Sequence, residues 1–129
     1  FIEMGPRNGG NMIPELLYMA TGINTMEATV DMAIGKKYDF PKITNKYKKF
    51  LVAYVLHSHK TGLLHRINYS SKIKNKIIRE IKYKSIGDQV EVFDGANKAL
   101  GILFLNFDSV DSQMKFMKNP EEYIEITVL

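Results

Sequence analysis

Four residues near the start of the chain combine side chains that could act on a charged substrate. Glu3 ends an apolar stretch, Arg7 comes four residues later, and Gly9-Gly10 precede a helix-forming segment. A carboxylate can bind a metal ion, a guanidinium can hold an oxyanion, and glycine lets the backbone approach a ligand closely. Chemistry on a magnesium-bound nucleotide needs such a set. The ordinary alternative is an ion pair from Glu3 to Arg7 or to a lysine, and spacing alone does not separate the two.

The elements that must position these residues are a strand, a loop and a helix. Residues 1–4 predict a short buried strand, and residues 5–10, with Gly-Pro and Gly-Gly, predict a loop. A helix is expected from about Met12 to Thr21, ended by Gly22. Its predicted apolar face consists of Ile13, Leu16, Leu17 and Ala20.

A second helix is predicted directly after the first. Asn24 suits its N-cap, Glu27 suits the third position of a capping box, and Gly35 suits its end. Its predicted apolar stripe consists of Met26, Val30, Ala33 and Ile34. We expect the two helices to form a hairpin, with Met12, Met19, Met26 and Met32 in the core.

The rest of the chain predicts a mainly antiparallel sheet with one or two helices, so the fold class is α+β. Strands are expected at residues 50–56, 63–69, 77–83, 89–93, 100–107 and 123–128. Asp94-Gly95 is typical of a hairpin turn between two of these strands. A helix is expected from Ser109 to about Lys118. Its predicted inner side consists of Val110, Met114 and Met117.

Charge is strongly segregated along the chain. Residues 36–84 carry fourteen basic and two acidic side chains, whereas residues 85–129 carry three basic and eight acidic ones. Such a segment either binds anions or nucleic acid, or forms a solvated lysine-rich face. The basic run at residues 72–79 has few aromatic neighbours and no known nucleic-acid motif. We therefore favour the solvated face and do not expect nucleic acid as a partner.

Composition excludes several other classes. The chain has no cysteine, which rules out disulfides and thiolate metal sites and fits a reducing cytoplasm. No apolar run approaches the roughly 20 residues that span a bilayer, so no membrane is expected. His57 and His59 could face one side as metal ligands, but no third ligand is evident from spacing, which favours a solvent-facing pair.

The motifs of the first 35 residues resemble those of the ATP-grasp ligase family. The pattern Glu3-x-x-x-Arg7-x-Gly9-Gly10 is followed by a helix that ends in Thr21-Gly22-Ile23-Asn24, and by Ala33-Ile34-Gly35. A weaker resemblance covers residues 50–129, in the order of strands and in the turns at residues 84–88 and 99–102. That part is similar to the small C-terminal domain of amino-acid ligases and of relatives like biotin carboxylase and carbamoyl-phosphate synthase.

This resemblance implies a domain organisation and an activity. Residues 1–35 would end the ATP-grasp catalytic domain, residues 36–49 would be a basic linker, and residues 50–129 would be the C-terminal domain. The implied reaction uses ATP and Mg²⁺ to activate a small-molecule carboxylate as an acyl phosphate, which an amine then attacks. Because the chain begins inside a predicted strand without an initiator Met, we expect a fragment that is inactive alone. A homodimer is compatible with these features.

The resemblance also assigns roles to single residues. Glu3 matches the glutamate that binds magnesium, and Arg7 matches the arginine that grips the substrate carboxylate or the acyl phosphate. Gly9 and Gly10 match a substrate-facing loop whose amides can donate to an oxyanion. Gly5 departs from the family, which has a metal-ligating asparagine there.

Two asparagines could compensate for the departure at Gly5. Asn8 and Asn11 carry the amide oxygen that the family uses on the metal, but neither lies at the family's spacing. Either water holds the second metal or the site is altered, and the alternative function is a non-catalytic anion-binding module at residues 36–84.

Overall fold

The computed structural model describes residues 8–41 and 50–129. These belong to two compact units, one within Phe1–Lys49 and one of Phe50–Leu129. The predicted strand at residues 1–4 and most of the predicted linker lie outside the described residues. Residues 36–41 contain neither helix nor strand.

The first unit contains the two predicted helices, α1 (Ile13–Thr21) and α2 (Thr25–Ala33). Gly22 ends α1 with a left-handed backbone, and its N–H donates to the carbonyl of Tyr18 at 2.8 Å. The Asn24 side chain caps α2, because its Oδ1 accepts the backbone N–H of Glu27 at 3.1 Å. The Glu27 carboxylate accepts the Asn24 side-chain amide at 3.2 Å, so the predicted cap is confirmed.

The predicted apolar faces of these helices are largely wrong. Ile13 and Leu17 are exposed on α1, where Pro14 is the buried residue. On α2 the buried residue is Ala28, and the predicted stripe lies outward. The exposed hydrophobic residues of α2 and its end include Met26, Val30, Met32 and Ile34. The spacing of the hydrophobic residues predicted both helices correctly, but not which side of each helix is buried. Met26 and Met32 are exposed, so the prediction that they lie in the core is also wrong.

The second unit consists of two three-stranded antiparallel sheets and confirms the α+β class. One sheet has the order β1 (Leu51–Leu56), β5 (Gly101–Asn106), β3 (Ile77–Lys82). The other has the order β4 (Gln89–Val90), β2 (Gly62–Tyr69), β6 (Ile124–Val128). Helix α3 (Ser71–Lys74) joins β2 to β3, and α4 (Val110–Lys118) joins β5 to β6.

Two predictions about this unit are wrong. Asp94-Gly95 does not form a hairpin, because β4 pairs with β2 whereas β5 pairs with β1 and β3. The segment between β4 and β5 instead contains a 3₁₀ turn, Ala96–Lys98. The strand predicted to end at Phe93 is only Gln89–Val90.

The core of the second unit lies between its sheets and α4. Leu103 and Leu105 of β5 and Phe116 of α4 are fully buried in one hydrophobic cluster. Val110, Met114 and Met117, the predicted inner residues of α4, are about half exposed, so that prediction is wrong. The Phe116 ring determines the covered side, since it packs edge-on against Tyr54 with 5.2 Å between ring centroids. No helix in residues 8–41 or 50–129 is long and apolar enough to cross a membrane.

Candidate functional site

The structure describes only part of the site that the sequence predicts. Glu3, Gly5 and Arg7 lie outside the described residues, so their predicted roles stay predictions. Asn8, Gly9, Gly10 and Asn11 are described, and they form the loop that enters α1. We call residues 8–12 the entry loop.

The side chain of Asn8 joins the entry loop to α2 by hydrogen bonds. Its side-chain amide donates to the hydroxyl of Thr29 at 3.1 Å and more weakly to the carbonyl of Thr25 at 3.4 Å. The Thr29 hydroxyl in turn donates to the Thr25 carbonyl at 2.7 Å. The amide nitrogen of Asn8 therefore holds the entry loop against α2. A metal ion could be bound only through the amide oxygen of Asn8.

The glycines of the entry loop are not needed for its backbone conformation. Neither Gly9 nor Gly10 has a positive φ. A Cβ on Gly9 would come within 3.3 Å of the Ile13 side chain, a tight contact. A Cβ on Gly10 would meet no atom of the described residues within 4 Å. A glycine with an ordinary φ and open space beside it is compatible with the close approach of a ligand.

The turn of the entry loop has its left-handed backbone at Asn11 and Met12, not at the two glycines. Asn11 and Met12 have φ values of 51° and 60°, and the N–H of Ile13 donates to the Gly10 carbonyl at 3.1 Å. Asparagine tolerates this left-handed region, but for methionine it costs about 1–2 kcal/mol. Such strain is concentrated at functional sites in proteins. The glycines predicted a loop here but not the positive φ at Met12, because nothing in a methionine side chain signals a positive φ.

Among the described residues, the histidine pair is not part of a group that could hold a metal. The rings of His57 and His59 contact each other with 5.0 Å between centroids. Within the described ranges no group of three histidine, aspartate or glutamate side chains could hold a metal ion. His65 is exposed on β2.

The basic segment contributes to a groove that the sequence did not predict. A cavity of about 410 Å³ lies beside β2 and β3, and its wall includes Arg66, Lys82 and Lys84. In the same wall the Tyr69 hydroxyl donates to the Glu80 carboxylate at 2.6 Å. Burial and this hydrogen bond raise the pKa of Tyr69 well above its usual value of 10. The cations come from β2, from β3 and from the bend after β3, so a linear run such as residues 72–79 could not reveal the groove.

Comparison with solved structures identifies the fold. The chain matches phosphoribosylglycinamide synthetase from Anaerococcus prevotii with a TM-score of 0.68 and 22% identity, over 95% of this chain and 32% of that one. It matches L-amino acid ligase from Bacillus licheniformis with a TM-score of 0.70 and 16% identity, over 99% of this chain and 32% of that one. No family model matches the sequence, and no curated protein gives a significant match.

These structural matches establish the fold of this chain. Both solved structures are ATP-grasp ligases, so this chain has the fold of one part of such ligases. The fold that the sequence resemblance implied is thereby confirmed. The chain spans about a third of the length of either structure.

Proposed function

We propose that this chain is part of an ATP-dependent ligase that joins a carboxylate to an amine. The observation that carries the proposal is the fold match to two ligases over nearly the whole chain. The pattern Glu3-x-x-x-Arg7-x-Gly9-Gly10 supports it independently, since it supplies a carboxylate, a guanidinium and a glycine, Gly10, with open space beside it. The proposal includes small-molecule substrates and a cytoplasmic location, which the absence of cysteine fits.

The residues of this chain would bind and orient the reactants. Glu3 would hold magnesium, because this ion prefers carboxylate oxygen. Arg7 would bind the substrate carboxylate through its two-pronged guanidinium. The open side of Gly10 would let the substrate approach the backbone, whose N–H groups can donate to an oxyanion. Magnesium-bound ATP supplies the phosphoryl group that makes the carboxylate reactive.

The described residues fit this division of roles. Asn8 and Asn11 offer amide oxygens, which are acceptable but weaker partners for magnesium than carboxylate. Asn8 is held against α2 and cannot move freely toward a metal. The proposal therefore assigns the metal to Glu3 and gives Asn8 the task of fixing the loop that follows Arg7.

The experiment is an assay of substrate-dependent ADP release by the complete ligase that contains this chain. We expect Glu3→Gln and Arg7→Ala to lower turnover by about 100-fold or more, as removal of a preorganised charge contact does. Glu122→Gln and Lys37→Ala are matched controls, because both residues are exposed and outside the entry loop. Full turnover by either site variant contradicts the proposal.

The 129 residues alone should release no ADP. They correspond to about a third of each ligase matched, so most of an ATP site would be supplied by other residues. The isolated chain with ATP, magnesium and a panel of amino acids provides the measurement. Turnover by the chain alone would contradict this part of the proposal.

A second candidate function is anion binding by the groove beside β2 and β3. The observation that favours it is the convergence of Arg66, Lys82 and Lys84 on one cavity, whose described lining contains one carboxylate, Glu80, paired with Lys82 at 3.7 Å. We expect a labelled oligonucleotide or inorganic triphosphate to bind with a steep salt dependence. Absence of binding at low salt removes this candidate.

A further inference from the structure

A second cavity of about 520 Å³ opens in the unit Phe50–Leu129 between the end of β1 and the edge strand β6. Its size lies in the range of small-molecule sites. One part of the wall is the turn after β1, and another part consists of Pro120 and Glu121, the first residues of a 3₁₀ turn, together with β6. The lining residues that matter here are Tyr54, His57, Lys60, Glu121, Ile124 and Val128.

The turn that carries His57 and Lys60 is held in place by a buried serine. Ser58 is 3% exposed, and its hydroxyl donates to the Lys60 carbonyl at 2.7 Å and accepts the Lys60 N–H at 3.0 Å. The Ser58 carbonyl also accepts the N–H of Phe93 at 2.9 Å. The backbone at Lys60 is therefore fixed at the cavity wall, which lowers the entropy lost when a ligand binds.

His57 presents a hydrogen-bond acceptor when it is neutral. Its Nδ1 lies 2.8 Å from the carbonyl oxygen of Val55, and since a carbonyl can only accept, Nδ1 carries the hydrogen. The lone pair of the neutral ring is then on Nε2. The ring is packed against Phe93, with 4.9 Å between ring centroids, so its orientation is fixed.

Two exposed side chains of opposite charge, Lys60 and Glu121, line this cavity. Glu121 and Lys60 form no ion pair, with each other or with another side chain, among the residues that the structure describes. Glu125, also in the wall, is instead paired with Arg66 at 3.5 Å. Burial, and secondarily the charge of Glu121, raise the pKa of Tyr54, so its hydroxyl stays a donor at neutral pH.

We propose that this cavity binds a small zwitterion of the amino-acid or short-peptide class. The ligand's carboxylate would lie toward Lys60, and its ammonium group, with three donors, toward Glu121 and the Nε2 of His57. Ile124 and Val128 offer apolar contact for an aliphatic side chain. A ligand with both charges can pair with Lys60 and Glu121 at the same time, whereas a ligand with one charge can pair with only one of them. The site lies within Phe50–Leu129, and the inference does not rest on the ligase proposal.

The experiment is a titration of the isotope-labelled chain with L-leucine, followed by NMR of the backbone amides. We expect saturable shifts that include the amides of Lys60, Glu121 and Ile124. N-acetyl-L-leucine lacks the ammonium group and L-leucinamide lacks the carboxylate, so each should bind at least about tenfold more weakly, the effect of one charged hydrogen bond. No saturable shift with L-leucine, or equal binding of either analogue, overturns the inference.

Variants at the two charged residues complete the test. Lys60→Met and Glu121→Gln should each weaken L-leucine binding by about tenfold or more. Both side chains are exposed, so the spectra of the variants should otherwise match that of the parent chain. Glu122→Gln is the matched control, since Glu122 is adjacent in sequence but does not line the cavity. Binding that survives either site variant, or that Glu122→Gln weakens equally, overturns the inference.

Discussion

The side-chain amide of Asn8 lies 3.1 Å from the hydroxyl of Thr29, a residue 21 positions further along the chain. This contact joins the entry loop to α2. It gives a fixed position to the residue that directly follows Arg7, the arginine that our proposal assigns to the substrate.

The first prediction concerns this contact. Asn8→Ala and Thr29→Val should each destabilise the first unit by about 1 kcal/mol, the usual value of a hydrogen bond. The double variant should cost less than the sum, because the same bond is lost in each single variant. Hydrogen exchange of the Ile13 and Leu16 amides, which bond to Gly10 and Met12, measures the local stability. Strict additivity would show that the two side chains do not interact.

Local chemistry explains which parts of the fold could be predicted. At the start of α2 the Asn24 side chain accepts the backbone N–H of Glu27, three residues on, and at the start of α4 Ser109 and Ser112 form a reciprocal capping box. Both caps depend on neighbours in sequence, so both helix starts could be predicted. The covered side of α4 could not, because it depends on Tyr54, which comes from a distant strand.

The candidate site was predictable to a similar extent. The sequence identified the entry loop by its glycines, but not the strain at Met12 or the contact of Asn8 with Thr29, which depends on how the loop meets α2. The cavity beside β6 was missed for the same reason. Lys60 and Glu121 are 61 positions apart, and only the fold brings both to the lining of one cavity.

The second prediction tests the covered side of α4. Phe116 is fully buried, whereas Met117 is 50% exposed on the same helix. Phe116→Ala should cost about 3–5 kcal/mol, because it leaves a cavity among aromatic rings. Met117→Ala should change stability by no more than about 0.5 kcal/mol. Hydrogen exchange of the β5 amides measures both. Comparable losses for the two variants would contradict the orientation of the helix.

The third prediction compares two glycines. A Cβ on Gly101 would collide with the carbonyl oxygen of Ile81 on the paired strand β3, so Gly101→Ala should destabilise the second unit by about 1–3 kcal/mol. Gly10→Ala meets open space at an ordinary φ and should raise stability by about 0.4–1 kcal/mol through the unfolded state.

Chemical denaturation of the chain measures both glycine variants. In the complete ligase, Gly10→Ala should nevertheless slow turnover, because its methyl group would occupy the space that our proposal gives to the substrate. If Gly10→Ala were more stable and fully active, Gly10 would not lie at the substrate site.

The fourth prediction concerns the dependence of stability on pH. Tyr69 is protonated in the folded chain to a higher pH than in the unfolded chain, because burial and the bond to Glu80 raise its pKa above 10. Its contribution to stability is therefore complete below pH 10 and is lost as the pH rises beyond that value. Tyr69→Phe should lower stability by about 1 kcal/mol at neutral pH. It should also make the decline above pH 10 shallower, though not absent, since the pKa of Tyr54 is raised as well.

Urea denaturation of the parent chain and the variant, between about pH 8 and pH 11, measures this difference. Tyr83→Phe is the control, because Tyr83 is 49% exposed and lies outside the wall of the basic groove. The control should follow the parent profile throughout. If the stability of Tyr69→Phe and of the parent chain fell in parallel above pH 10, ionisation of Tyr69 would not contribute to the pH dependence of stability.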